Sequence, residues 1–226
     1  MRVHLGDLRS MRIFFVAVML LALSVTWSLA QDGCAQCPNL SPADAWSELE
    51  SGNARFTTGK LKPRADACRI ACTKDSQKPF GIVLTCADSR VPPELAFDQR
   101  IGDLFVVRVA GNVATDEAVG SIEYAIEHLK SPKIVVVLGH EKCGAVDAAL
   151  ARKPAGDLVP SILNRIFPAL TGATDLADAV QRNVRLQAKL MQTYSPVIHH
   201  AVTEEHLVLQ GAYYSVTTGK ITKVAP

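Results

Sequence analysis

Two short segments, Cys86-Ala-Asp-Ser-Arg90 and His140-Glu-Lys-Cys143, each close an apolar run that reads as a buried strand. Together they offer two thiolates and one imidazole, a donor set suited to zinc. Structural zinc takes four protein ligands, whereas Cys₂His leaves the fourth tetrahedral position to water or to a nearby carboxylate. Asp88 stands two residues past the first cysteine, and Arg90 two past that. If Asp88 binds the metal, the site is closed. If a bidentate pair with Arg90 holds the carboxylate off, water takes the place. The spacing therefore encodes an open site or a switch.

Three elements must position these residues. Residues 80–85, 104–110 and 133–139 are short β-branched apolar runs without clean alternation, as expected for strands covered on both faces. Between the last two, Val119, Ile122, Ile126 and Leu129 form one stripe and predict a helix over 116–129. Strand, helix, strand in that order points to a parallel sheet with right-handed crossovers. In such sheets the ligand crevice lies outside the carboxyl ends of the strands. Cys86 and His140 each follow a strand directly, so neighbouring strands can deliver both to one edge, with Cys143 in the turn beyond. The fold class is α/β: a central, mostly parallel sheet flanked by helices, with an N-terminal helical arm. That arm begins at Ser41 as N-cap and Pro42 at the first helical position, with Trp46, Leu49 and Phe56 near helical spacing. Residues 176–194 read as an amphipathic helix, Pro196 opens a further short one, and 206–217 read as a strand carrying Tyr213 and Tyr214.

A resemblance becomes specific at these residues. The strings Phe80-Gly-Ile-Val-Leu-Thr-Cys-Ala-Asp-Ser-Arg-Val-Pro-Pro-Glu94, Gly102-Asp-Leu-Phe-Val-Val-Arg-Val-Ala-Gly-Asn112, Gly120-Ser-Ile-Glu-Tyr-Ala125 and Val137-Leu-Gly-His-Glu-Lys-Cys-Gly144 resemble the β-class carbonic anhydrases, of an exported bacterial type. The likeness runs colinearly from about residue 42 to the C-terminal end. It implies one Zn²⁺ per subunit held by Cys86, His140 and Cys143, with Asp88 and Arg90 as the catalytic dyad. Asp88 is then also a possible fourth ligand in a closed state. The implied reaction is reversible hydration of CO₂ to bicarbonate and a proton by zinc-bound hydroxide. Gln77, nine residues before Cys86, stands where plant-type members carry a substrate-orienting Gln. Phe105, Ala110 and Tyr124 fall at or near the apolar pocket positions of that type. The family builds this pocket across a dimer, so a homodimer or a higher homo-oligomer of dimers is expected, the helix from residue 42 embracing the partner. Allosteric members with a closed site resemble this chain at Arg108 but carry a Trp three residues before the first cysteine, where this chain has Val83. The open, Asp88–Arg90-paired form is therefore favoured near neutral pH.

The first thirty residues stand apart. Arg2, Arg9 and Arg12 precede an unbroken apolar run over 13–23, and Ser28-Leu-Ala30 gives the small-x-small pattern of a signal-peptidase site. Residues 13–30 approach the ~20 needed to span a bilayer, but the flanking pattern favours cleavage. This divides the chain into a secretory leader over 1–30, a cysteine-containing segment over 31–41 and the carbonic anhydrase domain over 42–226, placed in the periplasm or secreted. No stable membrane association is expected after cleavage. Without the leader, acidic and basic residues are equal in number, which makes nucleic acid a poor partner.

Export changes how the six cysteines read. In an oxidising compartment Cys34, Cys37, Cys68 and Cys72 favour disulfides, and four cysteines allow three pairings. A second, structural zinc or a Cys34-x-x-Cys37 redox pair are the alternatives. For the chain as a whole the same scaffold also resembles CS₂ or COS hydrolases. An inactive zinc-binding interaction protein would need only the metal, and a thiol oxidoreductase would act without it. Intact Asp88, Arg90 and Gln77 argue for the anhydrase.

Overall fold

A computed structural model describes residues 38–63, 66–152, 156–205 and 207–225. The leader over 1–30, the cysteines Cys34 and Cys37, and residue 206 lie outside the described residues.

The first helix, α1 (Pro42–Thr57), starts where its cap chemistry places it: Ser41 Oγ accepts from the Asp44 N–H at 3.2 Å, and Pro42 opens the first turn. A short helix α2 (Asp66–Thr73) follows. Strand β1 (Gly81–Thr85), helix α3 (Pro93–Ala96), strand β2 (Leu104–Arg108) and helix α4 (Asp116–Tyr124) lead to strand β3 (Ile134–His140). Helices α5 (Gly144–Leu150), α6 (Pro160–Ile166), α7 (Leu176–Tyr194) and α8 (Pro196–Thr203) precede strands β4 (Val208–Tyr214) and β5 (Ile221–Val224). The sheet order is β2-β1-β3-β4-β5. The first four strands are parallel, and β5 returns antiparallel to β4.

The strands are apolar on both faces because both faces are covered. Val83, Val136 and Leu138 pack with Trp46 and Leu49 of α1, while Ile82, Leu84, Val135 and Val137 pack with Ile122 of α4 and Val184 and Met191 of α7. Each such side chain, fully buried, contributes about 1.5–3 kcal/mol of apolar burial. A third cluster holds Cys86 and Cys143 among Val113, Val146, Leu163, Ile166 and Val180. The reactive groups thus lie at the wall of a packed core.

The architecture and the three predicted strands agree with the sequence reading, with differences at the ends. The predicted helix over 116–129 is α-helical only to Tyr124; it widens into a π turn over Ala125–Leu129 and stops at Lys130, whose φ is 53°. The strand expected over 206–217 is confined to Val208–Tyr214, because Ser215 and Gly219 close the turn into β5. The short helices α2, α3, α5 and α6 and strand β5 are additional to the elements expected from the sequence. In α2, Arg69 is 1% exposed, donating to the Ile101 carbonyl and to Asp103 Oδ1 at 2.6 Å. A buried, paired arginine has no signature in hydrophobic periodicity. Among the described residues, no helix is long and apolar enough to cross a membrane.

Candidate metal centre

Topology brings the three donors together. Strands β1 and β3 are parallel neighbours with Thr85 opposite Leu138, so Cys86 and His140 leave the sheet at the same edge. Cys143 is the residue on which α5 begins. The three ligand atoms lie within 4.8 Å of one another, and all three residues are buried. A single cation can bridge that spacing.

The donor chemistry fits zinc. Nδ1 of His140 lies 2.9 Å from the carbonyl oxygen of Glu141, which assigns the ring proton to Nδ1 and leaves the lone pair on Nε2. That Nε2 is buried without a hydrogen-bond partner. An orphaned buried acceptor costs about 1–3 kcal/mol unless something occupies it, and a bound metal would do so. The two thiols share a hydrogen bond, which pushes the Cys86 thiol well down against its burial. The same bond and burial push Cys143 up. A proton shared between two sulfurs is what a thiophilic dication displaces.

Asp88 and Arg90 form the pair that the sequence offered. Arg90 donates from Nη2 to Asp88 Oδ2 at 2.8 Å and from Nε to Oδ1 at 3.0 Å, and its backbone N–H reaches Oδ1 at 2.9 Å. These bonds hold the Asp88 carboxyl well below the usual carboxylate range despite partial burial. Asp88 Oδ2 stands 3.9 Å from His140 Nε2, beside the cluster and turned toward the guanidinium.

The backbone of this loop is held from behind. Arg108, at the end of β2, donates to the carbonyls of Cys86 at 3.0 Å and Asp88 at 2.6 Å. Arg90 Nη2 also reaches the Lys142 carbonyl at 3.3 Å, tying the two ligand-bearing loops together. Glu141, between His140 and Cys143, accepts from Ser215 Oγ at 2.8 Å and from the Thr217 N–H and Oγ1 at 3.0 and 2.9 Å. Those three bonds lower its carboxyl to about 2. Neither role shows in the sequence pattern, although the carboxylate between His140 and Cys143 is a visible signal.

The pocket residues are distributed differently. Ala110 adjoins Gly111, whose N–H donates to Cys86 Sγ at 3.3 Å. Phe105 is half-buried on β2, opposite Ile82. Tyr124 is 50% exposed at the end of α4, tilted against His128 at 4.9 Å between ring centroids. Gln77 is exposed before β1, at the opposite end of that strand from Cys86. Five strand residues at about 3.3 Å each separate the two ends, so one subunit does not bring Gln77 to its own metal centre. Val83 is fully buried in the middle of β1.

A Cys₂His cluster able to hold zinc, beside an arginine-held carboxylate at the carboxyl edge of a mostly parallel sheet, is the arrangement of a zinc enzyme that activates water. The carbonic anhydrase family profile matches residues 81–221. Carbonic anhydrase 2 of Mycobacterium tuberculosis is 37% identical over 193 residues, covering 81% of this chain and 93% of that protein. Among solved structures, the β-carbonic anhydrase CafA of Aspergillus fumigatus superposes with a TM-score of 0.62 at 27% identity, over 81% of this chain and 91% of that one. A tetrameric β-carbonic anhydrase of Sordaria macrospora shares the fold at 24% identity, with a TM-score of 0.65 over 81% and 98%. The chain belongs to the β-carbonic anhydrase family, zinc enzymes that hydrate CO₂ reversibly to bicarbonate and a proton.

Proposed function

We propose that Cys86, His140 and Cys143 hold the catalytic zinc and that Asp88 and Arg90 form the catalytic dyad of CO₂ hydration. The observation that carries this reading is the placement of Asp88: 3.9 Å from the imidazole nitrogen that faces the cluster, yet with both oxygens engaged by Arg90. Bound zinc supplies the Lewis acidity that makes water a nucleophile near neutral pH. Thiolates give the metal more charge than imidazoles do and so blunt that acidity, which leaves a task for the protein. Asp88 accepts a hydrogen bond from the attacking water and fixes the direction of its lone pair. Arg90 keeps that carboxylate ionised and holds it away from the cation. The guanidinium is half exposed, so the proton lost in each turnover has a short path to solvent and buffer.

Gln77, Phe105, Ala110 and Tyr124 line the CO₂ pocket in this reading, Gln77 being supplied by the second subunit. Support comes from β2, an edge strand whose Leu104, Phe105, Val106 and Val107 are all half-buried. A long apolar edge of this kind is normally covered, and a second copy of β2 would cover it. The Sordaria relative is tetrameric, which accords with a homodimer or an assembly of dimers here. We further propose export: residues 1–30 as a cleaved leader, 31–41 as a cysteine-containing segment and 42–226 as the enzyme domain in the periplasm or outside the cell. Cys68 and Cys72 lie one turn apart on α2, and a disulfide from the Cys34/Cys37 pair to the Cys68/Cys72 pair would staple the N-terminal segment to the domain.

Stopped-flow CO₂ hydration by the leader-free protein, with and without a chelator, tests the reading. Hydration that is lost on chelation and restored by zinc is expected; zinc-loaded protein without hydration across pH 7–9 would reject it. Thiol titration of the unreduced protein tests the staple, and six free thiols after metal removal would defeat it.

A further inference from the structure

We infer that Asn183 and Gln187 are positioning residues of the metal centre: one turn apart on α7, they hold the 111–114 segment so that the Gly111 N–H donates to the sulfur of Cys86. The inference rests on the ligand role proposed for Cys86.

Gly111 occupies a place that admits no side chain. Its φ is 68°, and a Cβ there would stand 2.8 Å from Ile166 Cδ1 and 3.2 Å from Ala145 Cβ. The N–H of Gly111 reaches Cys86 Sγ at 3.3 Å. The segment is a single 3₁₀ turn over Ala110–Asn112 in which the Asn112 N–H reaches the Val109 carbonyl at 2.8 Å, and the buried Gly111 carbonyl and Ala114 N–H take side-chain partners from outside it. Two carboxamides are those partners. Asn183 Nδ2 donates to the Gly111 carbonyl at 2.8 Å, and Gln187 Oε1 accepts from the Ala114 N–H at 2.8 Å. Gln187 Nε2 donates to Asn183 Oδ1 at 2.9 Å and to the Arg165 carbonyl at 3.0 Å, and Arg165 Nη1 donates to the Ala114 carbonyl at 2.9 Å.

The network has a single polarity. Flipping Asn183 would set its oxygen against the Gly111 carbonyl, and flipping Gln187 would set its NH₂ against the Ala114 N–H. Both residues are fully buried. Apolar side chains of like size would fill the same space on α7, so packing alone does not call for amides. What the amides supply is one donor and one acceptor to a loop that is remote in sequence and adjoins a metal ligand. A hydrogen bond to a ligating sulfur draws charge from it and orients its lone pairs, as outer partners of metal ligands generally do. Asn183 and Gln187 therefore set how strongly Cys86 donates to the metal without touching metal or substrate.

The test uses the full domain loaded with zinc, or with cobalt in its place. Asn183→Asp replaces the donor to Gly111 by a second acceptor, and Gln187→Glu removes both Nε2 donors while keeping an acceptor for Ala114. Met191→Ala, a cavity elsewhere on α7 in the buried core, serves as a control for general destabilisation. We expect Asn183→Asp and Gln187→Glu to release zinc to a chromogenic chelator about tenfold faster than the parent, or more. In the cobalt proteins the thiolate-to-metal charge-transfer band should move to lower energy. Met191→Ala should move neither readout. If Asn183→Asp does not fold, Gln187→Glu decides alone. Parent-like release rates and an unmoved band would overturn the inference, as would equal changes in Met191→Ala. A parent protein that binds no zinc would overturn the metal centre itself, a distinguishable failure.

Discussion

Arg90 grips both oxygens of Asp88, and the oxygen nearer the metal centre stands 3.9 Å from Nε2 of His140. One carboxylate is thus set between a guanidinium and the place of a cation. The two parallel charge-assisted bonds set Arg90 in competition with a bound metal for Asp88. Arg108 holds the Asp88 carbonyl from behind, so the carboxylate's base is fixed while its head is contested.

The dyad can be separated from the metal by substitution. Asp88→Asn preserves shape and removes the charge; it should retain zinc near one per subunit by elemental analysis while CO₂ hydration falls by about 10²-fold or more in stopped flow. Arg90→Gln frees Asp88 to turn to the metal and should cost comparable activity while slowing zinc release. Activity within twofold of the parent in either variant would sink the dyad assignment.

The cluster proposed to hold zinc is legible because strand ends are: apolar runs locate β1 and β3, and a parallel order puts Cys86 and His140 on one edge. Asp88 and Arg90 were legible because they share a turn. What stayed hidden is held by bonds between distant segments. Asn183 looks like one polar residue of an amphipathic helix, and only the fold shows it buried and donating to Gly111, 72 positions away. Arg69 reads as a surface cation until α2 is seen seated on the Ile101 carbonyl. Gln77 raises a different difficulty: its distance from Cys86 along β1 is plain in one subunit, and its proposed site belongs to two.

A pH effect on stability follows from the α1 network. Glu48 accepts from Lys62 Nζ at 2.7 Å, Arg55 Nη2 at 3.2 Å and Gln99 Nε2 at 3.3 Å. Burial alone would raise its carboxyl, but the bonds from Lys62 and Gln99 and the two cations outweigh it and lower it. A carboxyl lowered by folding stabilises above its unfolded value of about 4.3, and that contribution fades as pH falls through the folded value. Glu48→Gln should therefore lose about 1 kcal/mol at pH 7 and progressively less below pH 4 in urea unfolding. An equal loss at pH 7 and pH 3 would show that the charge is not responsible.

The edge of β2 offers a test of assembly. Val106 sits in register with Val83 at the centre of a strand that has no described neighbour on its outer side. Val106→Lys places a charge on that edge, a device that blocks edge-to-edge pairing. Light scattering should report a monomer, and CO₂ hydration should collapse with it because Gln77 would no longer reach its partner's site. A variant that stays oligomeric and fully active would remove β2 from the interface.

Gly139 couples the sheet to the proposed metal centre through shape alone. It precedes His140 on β3, and a Cβ there would lie 2.5 Å from Val184 Cγ2 and 3.0 Å from Val180 Cγ1 on α7. Both valines are buried with no exposed surface, so neither can swing into solvent. The strain of Gly139→Ala must then be taken up by moving α7 outward or β3 inward. Overpacking of this order destabilises by about 1–3 kcal/mol. Because β3 carries His140 one residue later and α7 carries Asn183, either movement disturbs the donors. We expect Gly139→Ala to melt at lower temperature and to release zinc faster than the parent, whereas Gly120→Ala, with no heavy atom within 4 Å of the new methyl, should leave zinc release unchanged. Lower melting with parent-like zinc retention in Gly139→Ala would show that the strain dissipates before it reaches His140.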